Sequence, residues 1–156
     1  MARRAKDKKR SFESCRLDTS NEKYTRLFVS QLQSPAFLDL TKNQRLLYIY
    51  CKQQFGGSGV SAPGRDHPDL ECLRNGLCFY YNLSLAVKDG LYSKSGKKQL
   101  ANDLKALGEH GFIDRISDGE LTHSKSIYRF SSGWKTWPDN EVIWQTKANK
   151  GNRERL

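Results

Sequence analysis

The second half of the chain contains a change in the spacing of its apolar residues, within the stretch KSGKKQLANDLKALGEHGFIDRI. Three leucines recur at helical spacing and fall within one narrow stripe: Leu100, Leu104 and Leu107. The opposite side is polar and carries Lys98, Asn102, Lys105 and Glu109, with Gln99 and Ala106 on its flanks. This pattern predicts an amphipathic helix over residues 96–110, with Ser95 as a candidate N-cap. Gly111 ends the helix, at the position where a residue in the left-handed conformation is needed.

The residues after Gly111 alternate between apolar and polar, as they do in a β-strand. On such a strand Phe112, Asp114 and Ile116 share one face, and Ile113 and Arg115 share the other. The segment SDGEL supplies a turn, and SIYRF, Ser126–Phe130, alternates again. The pattern therefore predicts a β-hairpin of residues 112–116 with residues 126–131.

The first half of the chain predicts shorter elements before one long helix. The segment YTRLFVSQL, Tyr24–Leu32, alternates loosely and is compatible with a short strand. Pro35 suits the first turn of a short helix, and Thr41 with Gln44 matches a T-x-x-Q capping box. We therefore expect the long helix to cover residues 42–54.

The helix over residues 42–54 is apolar around most of its girth. One side carries Leu46, Leu47, Tyr50, Cys51 and Gln54, and the other carries Tyr48 and Ile49. A helix of this kind is buried on two sides. Its second side is covered either by residues 24–38 or by a partner chain, and we favour the first alternative.

Between the two halves lies a segment rich in Gly, Pro and Asp, residues 55–76, which is typical of a long surface insertion. The apolar segment CFYYN then predicts a short strand, and Asn82 is a candidate cap for a helix from Leu83 to Lys88. Gly90 ends that helix. Together the elements predict an α+β domain with about four helices and a small antiparallel sheet that ends in the hairpin.

The net charge of +10 is concentrated at the two ends of the chain. Residues 1–10 carry six Lys or Arg and one Asp, residues 147–156 carry four Lys or Arg and one Glu, and the rest holds only +2. Basic ends of this kind are typical of mobile arms that bind polyanions, or of solubilising termini. We expect a basic arm over residues 1–22, a folded domain over residues 23–138 and a basic tail over residues 139–156.

Several function classes are not supported by the sequence. The chain has no run of 18 apolar residues and no apolar signal segment, so we expect a cytoplasmic protein without membrane contact. Its four cysteines suit reduced thiols. His67, Cys72 and Cys78, with Cys51 on the long helix, form a conceivable zinc set, but their spacing lacks the C-x2-C pair of common zinc sites. GGSG at residues 56–59 lacks the Gly-Lys-Ser/Thr of a phosphate loop. We therefore expect no metal, no cofactor and no catalysis.

The order of a short helix, a tight turn and a second helix is that of a helix-turn-helix, and a hairpin after it makes a winged helix. The segments SPAFLDLTKNQRLLYIYC and KQLANDLKALGEHGFIDRI…SIYRFSSGWKTWP resemble winged helix domains of bacterial plasmid, phage and transposon proteins. The resemblance covers residues 24–138. It implies a double-stranded DNA-binding protein of a mobile element, acting as a regulator or as a replication-initiation factor.

In this interpretation the polar face of the second helix enters the major groove, where lysine suits phosphate or guanine and amides suit adenine. The hairpin and the N-terminal arm add contacts to the DNA backbone. The candidate DNA-binding residues are Lys94, Ser95, Lys97, Lys98, Gln99, Asn102, Lys105, Arg115, Lys125, Arg129, Arg3, Arg4, Lys8, Lys9 and Arg10. His123 lies in the same hairpin.

Several alternatives stay open at this point. The lysines can belong to an ordinary solvated helix face, and Asp114, Asp118 or Glu120 can neutralise the hairpin arginines locally. The three tryptophans can stack on single-stranded bases, although we expect Trp134 and Trp137 to fill the core after the hairpin. Winged helices also serve as protein-interaction modules, here for replication or conjugation, and RNA binding is a further alternative.

Overall fold

The structure, a computed structural model, describes residues 25–54, 78–118 and 126–144. These residues form five α-helices and one three-stranded antiparallel sheet, so the predicted α+β class is confirmed. The elements are α1 Val29–Leu32, α2 Pro35–Asp39, α3 Lys42–Gln54, β1 Cys78–Phe79, α4 Leu83–Lys88, α5 Lys97–Glu109, β2 Ile113–Ser117 and β3 Ile127–Phe130, followed by a 3₁₀ turn, Gly133–Lys135. The predicted arm over residues 1–22 and the insertion over residues 55–76 lie outside the described residues.

Side-chain caps explain where three helices begin. The Ser34 hydroxyl accepts a hydrogen bond from the Phe37 amide at 3.2 Å, directly before Pro35 opens α2. The Asn82 side chain accepts from the Leu85 amide at 3.0 Å at the start of α4. The predicted capping box of α3 is confirmed, because Gln44 N donates to Thr41 Oγ1 at 3.3 Å and Thr41 N donates to Gln44 Oε1 at 3.0 Å.

The strand expected over residues 24–32 is wrong, because the chain forms the short helix α1 there. The Phe28 carbonyl accepts from the amides of Gln31 and Leu32 at 3.0 and 3.1 Å, which closes a helical turn. The apolar residues Phe28 and Val29 are exposed, whereas the polar Gln31 is buried. The alternation in the sequence therefore does not correspond to a buried strand face.

The sheet has the order β1-β3-β2, so β3 is its central strand. Cys78 of β1 pairs with Arg129, and β2 pairs Asp114 with Arg129 and Arg115 with Tyr128. The predicted hairpin is confirmed by this register. Arg115 and Arg129 are not direct cross-strand partners, because Arg129 lies opposite Asp114.

The core centres on an aromatic cluster around α3. Tyr48 is 1% exposed, and its ring lies 5.0 Å from that of Phe112 and 5.9 Å from that of Phe130, measured between centroids. Its hydroxyl accepts a hydrogen bond from Gln31 Nε2 at 2.6 Å. Gln31 and Phe37 therefore cover Tyr48 from within the segment that the favoured alternative named. The predicted division of the helix is wrong for Leu46, which is 43% exposed.

The chain after β3 packs back onto the end of α5. Gly111 has φ +74°, and a Cβ built there would lie 2.5 Å from Trp134 N, so only glycine fits. The Trp134 ring stacks on Phe112 with centroids 6.3 Å apart, and Trp137 stacks on His110 at 5.1 Å. The expected core role of both tryptophans is confirmed.

The packed domain continues past residue 138, where the basic tail was expected to begin. Arg115 N donates to the Ile143 carbonyl at 3.0 Å, and Arg115 forms a parallel bridge with Trp144. The Trp144 ring lies against Gly108, where an added Cβ would stand 2.6 Å from Cε3. Residues 139–144 thus belong to the folded body.

The two described cysteines have different states. Cys51 is free and fully buried, and burial raises the pKa of its thiol. Cys78 is buried and disulfide-bonded, which departs from the expectation that all thiols are reduced. In the ranges that the structure covers, every helix is too short or too polar to cross a membrane.

Candidate nucleic-acid interface

Helices α4 and α5 meet through a compact turn that holds α5 at the surface. The amides of Leu91 and Tyr92 donate to the Ala86 carbonyl at 3.0 and 3.3 Å, and Gly90 has φ +74°. The predicted leucine stripe, Leu100, Leu104 and Leu107, is buried in the same core cluster as Leu47 and Cys51 of α3. The opposite face of α5 is left at the surface.

That opposite face carries the candidate base-reading residues, and all of them are exposed. They are Lys97, Lys98, Gln99, Asn102 and Lys105, and the preceding Lys94 and Ser95 are exposed as well. Lys105 lies 3.4 Å from Glu109 in an exposed ion pair. Within the described ranges, the other four helix side chains make no hydrogen bond or ion pair, so they are available to a ligand.

Ser95 is not the cap of α5, which corrects the prediction. The capping position is Gly96, which has no side chain to accept a hydrogen bond, and the helix begins at Lys97. Ser95 Oγ instead lies 3.0 Å from Ser93 Oγ within the turn. The first-turn amides of α5 therefore have no side-chain cap, and they lie among the lysines at positions 94, 97 and 98.

The other end of α5 has the opposite charge. Glu109 is its last residue, and the following His110 places Nε2 2.8 Å from Asp39 Oδ2 and Nδ1 2.7 Å from the Ala106 carbonyl. Asn140 Nδ2 donates to the Glu109 carbonyl at 3.3 Å, which brings its neighbours Asp139 and Glu141 to this end. An anion is therefore favoured at the N-terminal half of α5 and opposed at its C-terminal end.

The hairpin arginines are held by buried carboxylates. Arg129 Nη2 lies 3.0 Å from Asp114 Oδ2, and Arg115 Nη2 lies 3.2 Å from Asp118 Oδ2. The Arg115 guanidinium also lies 4.9 Å from the centre of the Trp144 ring and is only 16% exposed. Local neutralisation by Asp114 and Asp118 is therefore observed, and only Arg129 keeps a half-exposed side chain.

Sequence reasoning did not identify Asp103 as a functional candidate. Its carboxylate is buried on the leucine side of α5 and accepts hydrogen bonds from Gln44 Nε2 at 3.0 Å and from the Tyr92 hydroxyl at 2.7 Å. Its position directly before Leu104 could have identified it, because a carboxylate buried beside a leucine stripe requires hydrogen-bond donors from other elements.

Several predicted residues lie outside the described residues: Arg3, Arg4, Lys8, Lys9, Arg10, His67, Cys72, Glu120, His123 and Lys125. Across residues 25–54, 78–118 and 126–144, no group of three or more His, Cys, Asp or Glu could hold a metal ion.

Comparison of the chain with protein-family models, with curated proteins and with solved structures gave no match in any of the three. The functional assignment therefore depends on the geometry of α4, α5 and the hairpin. In that geometry the most distinctive feature is an exposed face of lysines and amides on a helix that is docked by its opposite side.

Proposed function

We propose that the chain is a winged helix-turn-helix protein that binds double-stranded DNA, with α5 in the major groove. The element order supports a winged helix: α3, β1, α4, α5 and then the hairpin of β2 and β3, with β3 central in the sheet. In this arrangement α4 and α5 form the helix-turn-helix, and the hairpin is the wing.

One observation carries the proposal. The exposed face of α5 combines lysines and amides whose side chains make no hydrogen bond or ion pair with other described residues. Lys97 and Lys98 suit phosphate oxygens or guanine, and Gln99 and Asn102 can each contact an adenine edge with two hydrogen bonds. A face used only for solvation does not require amides between its lysines. The acidic C-terminal end of α5 directs the duplex towards the N-terminal half of the helix.

The wing has a smaller role than the sequence predicted. Arg115 pairs with Asp118 and lies over the Trp144 ring, so we propose that it stabilises the hairpin and does not contact DNA. Arg129 is half-exposed and can reach a phosphate only in competition with Asp114. Backbone affinity therefore depends on α5 and on the cations of residues 1–10.

The resemblance to mobile-element proteins favours a regulator or a replication-initiation factor, without catalysis. A protein-interaction module is the second candidate, because Phe28 and Val29 at the start of α1 and Leu38 of α2 are each at least 59% exposed. In that case α5 is an ordinary solvated helix, and any nucleic-acid affinity comes from the basic ends.

The test is fluorescence anisotropy of the full chain with a labelled DNA duplex, one of its single strands and an RNA duplex of the same sequence, at one salt concentration. We expect the DNA duplex to bind tightest. In a second series over several salt concentrations, deletion of residues 1–10 should weaken all duplexes alike and reduce the log–log salt slope by up to about five, since each phosphate contact contributes about 0.9. Equal affinity for all three nucleic acids would contradict the proposal, and tighter binding of the RNA duplex would favour RNA as the ligand.

A further inference from the structure

A chain of hydrogen bonds crosses from α3 to α5 and on to the turn before α5. Asp103 is 8% exposed, and each of its carboxylate oxygens accepts one hydrogen bond. Oδ1 accepts from Gln44 Nε2 at 3.0 Å, and Oδ2 accepts from the Tyr92 hydroxyl at 2.7 Å. Three separate elements are therefore tied to one residue, which is adjacent in sequence to the exposed Asn102.

Both donors have a defined orientation. The other amide atom of Gln44, Oε1, accepts from Thr41 N at 3.0 Å in the capping box, so the nitrogen has to face Asp103. Burial and the hydrogen bond to Asp103 raise the pKa of Tyr92, so its hydroxyl stays protonated and donates. The Gln44 bond therefore cannot be reversed without breaking the capping box, and the protonated Tyr92 hydroxyl donates to the carboxylate.

The leucine stripe by itself does not fix the rotation of α5 about its axis. Apolar contacts are non-directional, so they define the rotation of a helix less sharply than hydrogen bonds between fixed partners do. Side chains on a helix end about 5–6 Å from its axis, so a rotation of about 15° moves the tip of Asn102 by about 1.5 Å. A binding site needs its groups held within about 0.5 Å and 10–20°.

We propose that Asp103, held by Tyr92 and Gln44, is a positioning residue that sets the rotation of α5 so that Lys98, Gln99 and Asn102 meet the bases. This inference rests on the proposed function. It explains why a carboxylate occupies a buried place beside three leucines, where an apolar residue would pack without the cost of burying a charge.

The experiment compares Tyr92→Phe with a matched control, Tyr81→Phe. Tyr81 donates to Asp89 Oδ2, also at 2.7 Å, and burial is likewise the main cause of its raised pKa, but neither residue belongs to α5. Each variant loses one hydroxyl from one Tyr–Asp bond. The readout is the ratio of affinities for a duplex enriched by the wild-type chain from a random pool and for a random duplex, at fixed salt. Urea denaturation of each variant verifies that it is folded.

We expect Tyr92→Phe to lower this ratio by about five- to a hundredfold, the discrimination that one base contact provides. Tyr81→Phe should leave the ratio within about twofold of wild type, although both variants lose similar stability. A ratio that Tyr92→Phe leaves unchanged overturns the inference while the DNA-binding function stands. A wild-type chain that enriches no sequence overturns both.

Asp103→Asn and Asp103→Ala separate hydrogen bonding from charge. In Asp103→Asn the amide oxygen can accept from Gln44 and the amide nitrogen can donate to the Tyr92 oxygen, so both links persist. We expect Asp103→Asn to keep the ratio within about threefold and Asp103→Ala to lose it as Tyr92→Phe does. Equal losses in the two variants would contradict a positioning role through these bonds.

Discussion

Replacement of Gly111 by alanine tests the junction between α5 and the hairpin. Gly111 and Gly90 have the same backbone conformation, φ +74°, but different surroundings. A Cβ at Gly111 would lie 2.4 Å from the Gly133 carbonyl carbon and 2.5 Å from Trp134 N, whereas a Cβ at Gly90 meets nothing within 4 Å. Gly90→Ala is therefore a matched control that keeps the conformational cost and removes the steric one.

The two costs can be separated in magnitude. Left-handed backbone costs alanine about 1–2 kcal/mol, so Gly90→Ala should lose about that much free energy of unfolding. In Gly111→Ala the backbone of Gly133 and Trp134 has to move away, which adds about 1–3 kcal/mol, the usual cost of overpacking. The movement also strains the hydrogen bond from Trp134 N to the Gly111 carbonyl, which is 3.0 Å long.

Urea denaturation followed by tryptophan fluorescence measures both variants, because Trp134 itself lies at the junction. We expect Gly111→Ala to unfold at lower urea than Gly90→Ala, and its thermal midpoint to be lower by at least about 5 °C. Equal losses in the two variants would refute the close packing of the 3₁₀ turn on the end of α5.

Three further predictions follow from buried and exposed groups. Arg129→Ala should cost about 1–3 kcal/mol in urea denaturation, because it leaves the buried Asp114 carboxylate without its partner, whereas Lys105→Ala, which breaks an exposed pair, should cost less than about 0.5 kcal/mol. Native protein at pH 8 should not be alkylated at Cys51, because its thiol is buried and its pKa is raised; mass spectrometry after iodoacetamide treatment checks this, and rapid labelling would contradict it. The free energy of unfolding should fall as the pH rises above about 10, because tyrosines ionise there in the unfolded chain while burial keeps four tyrosines of the folded chain protonated. Urea denaturation at pH values from about 8 to 11 should show this fall, and a flat profile would contradict it. These tyrosines are Tyr48, Tyr81, Tyr92 and Tyr128.

Local signals predicted much of the fold. The Thr41–Gln44 capping box, the cap at Asn82 and the change of period at Gly111 each depend on neighbours within a few residues, and the structure contains all three. The leucine stripe also identified the docked side of α5, because helical spacing alone places those residues together.

The features that the sequence did not predict depend on contacts distant along the chain. Gln31 is buried and donates to Tyr48, 17 residues away, from a helical turn in a segment whose pattern suggested a strand. Asp103 acquires its role only when α3 brings Gln44 beside it, 59 residues away. The folding of Trp144 onto Gly108 likewise has no local signal.

The candidate site was predicted only in part, because some of its residues also depend on contacts that are distant along the chain. The exposed lysines and amides of α5 could be read from the helical wheel, but the state of the hairpin arginines could not. Arg115 alternates as an outward residue should, yet Asp118 and the returning Trp144 hold its guanidinium in place. Cross-strand register and the path of the C-terminal segment decide this, and neither follows from residue spacing.

The most direct test of the central claim is the effect of Asn102→Ala on the ratio of affinities for the enriched duplex and a random duplex, at one salt concentration. Gln53→Ala, which removes an exposed amide from α3, is the matched control. We predict that Asn102→Ala lowers the ratio by a factor that corresponds to about 1–3 kcal/mol of binding free energy. Gln53→Ala should leave the ratio unchanged. If Asn102→Ala leaves the ratio unchanged while deletion of residues 1–10 abolishes all binding, α5 does not read DNA, and the protein-interaction module replaces the function proposed for this chain.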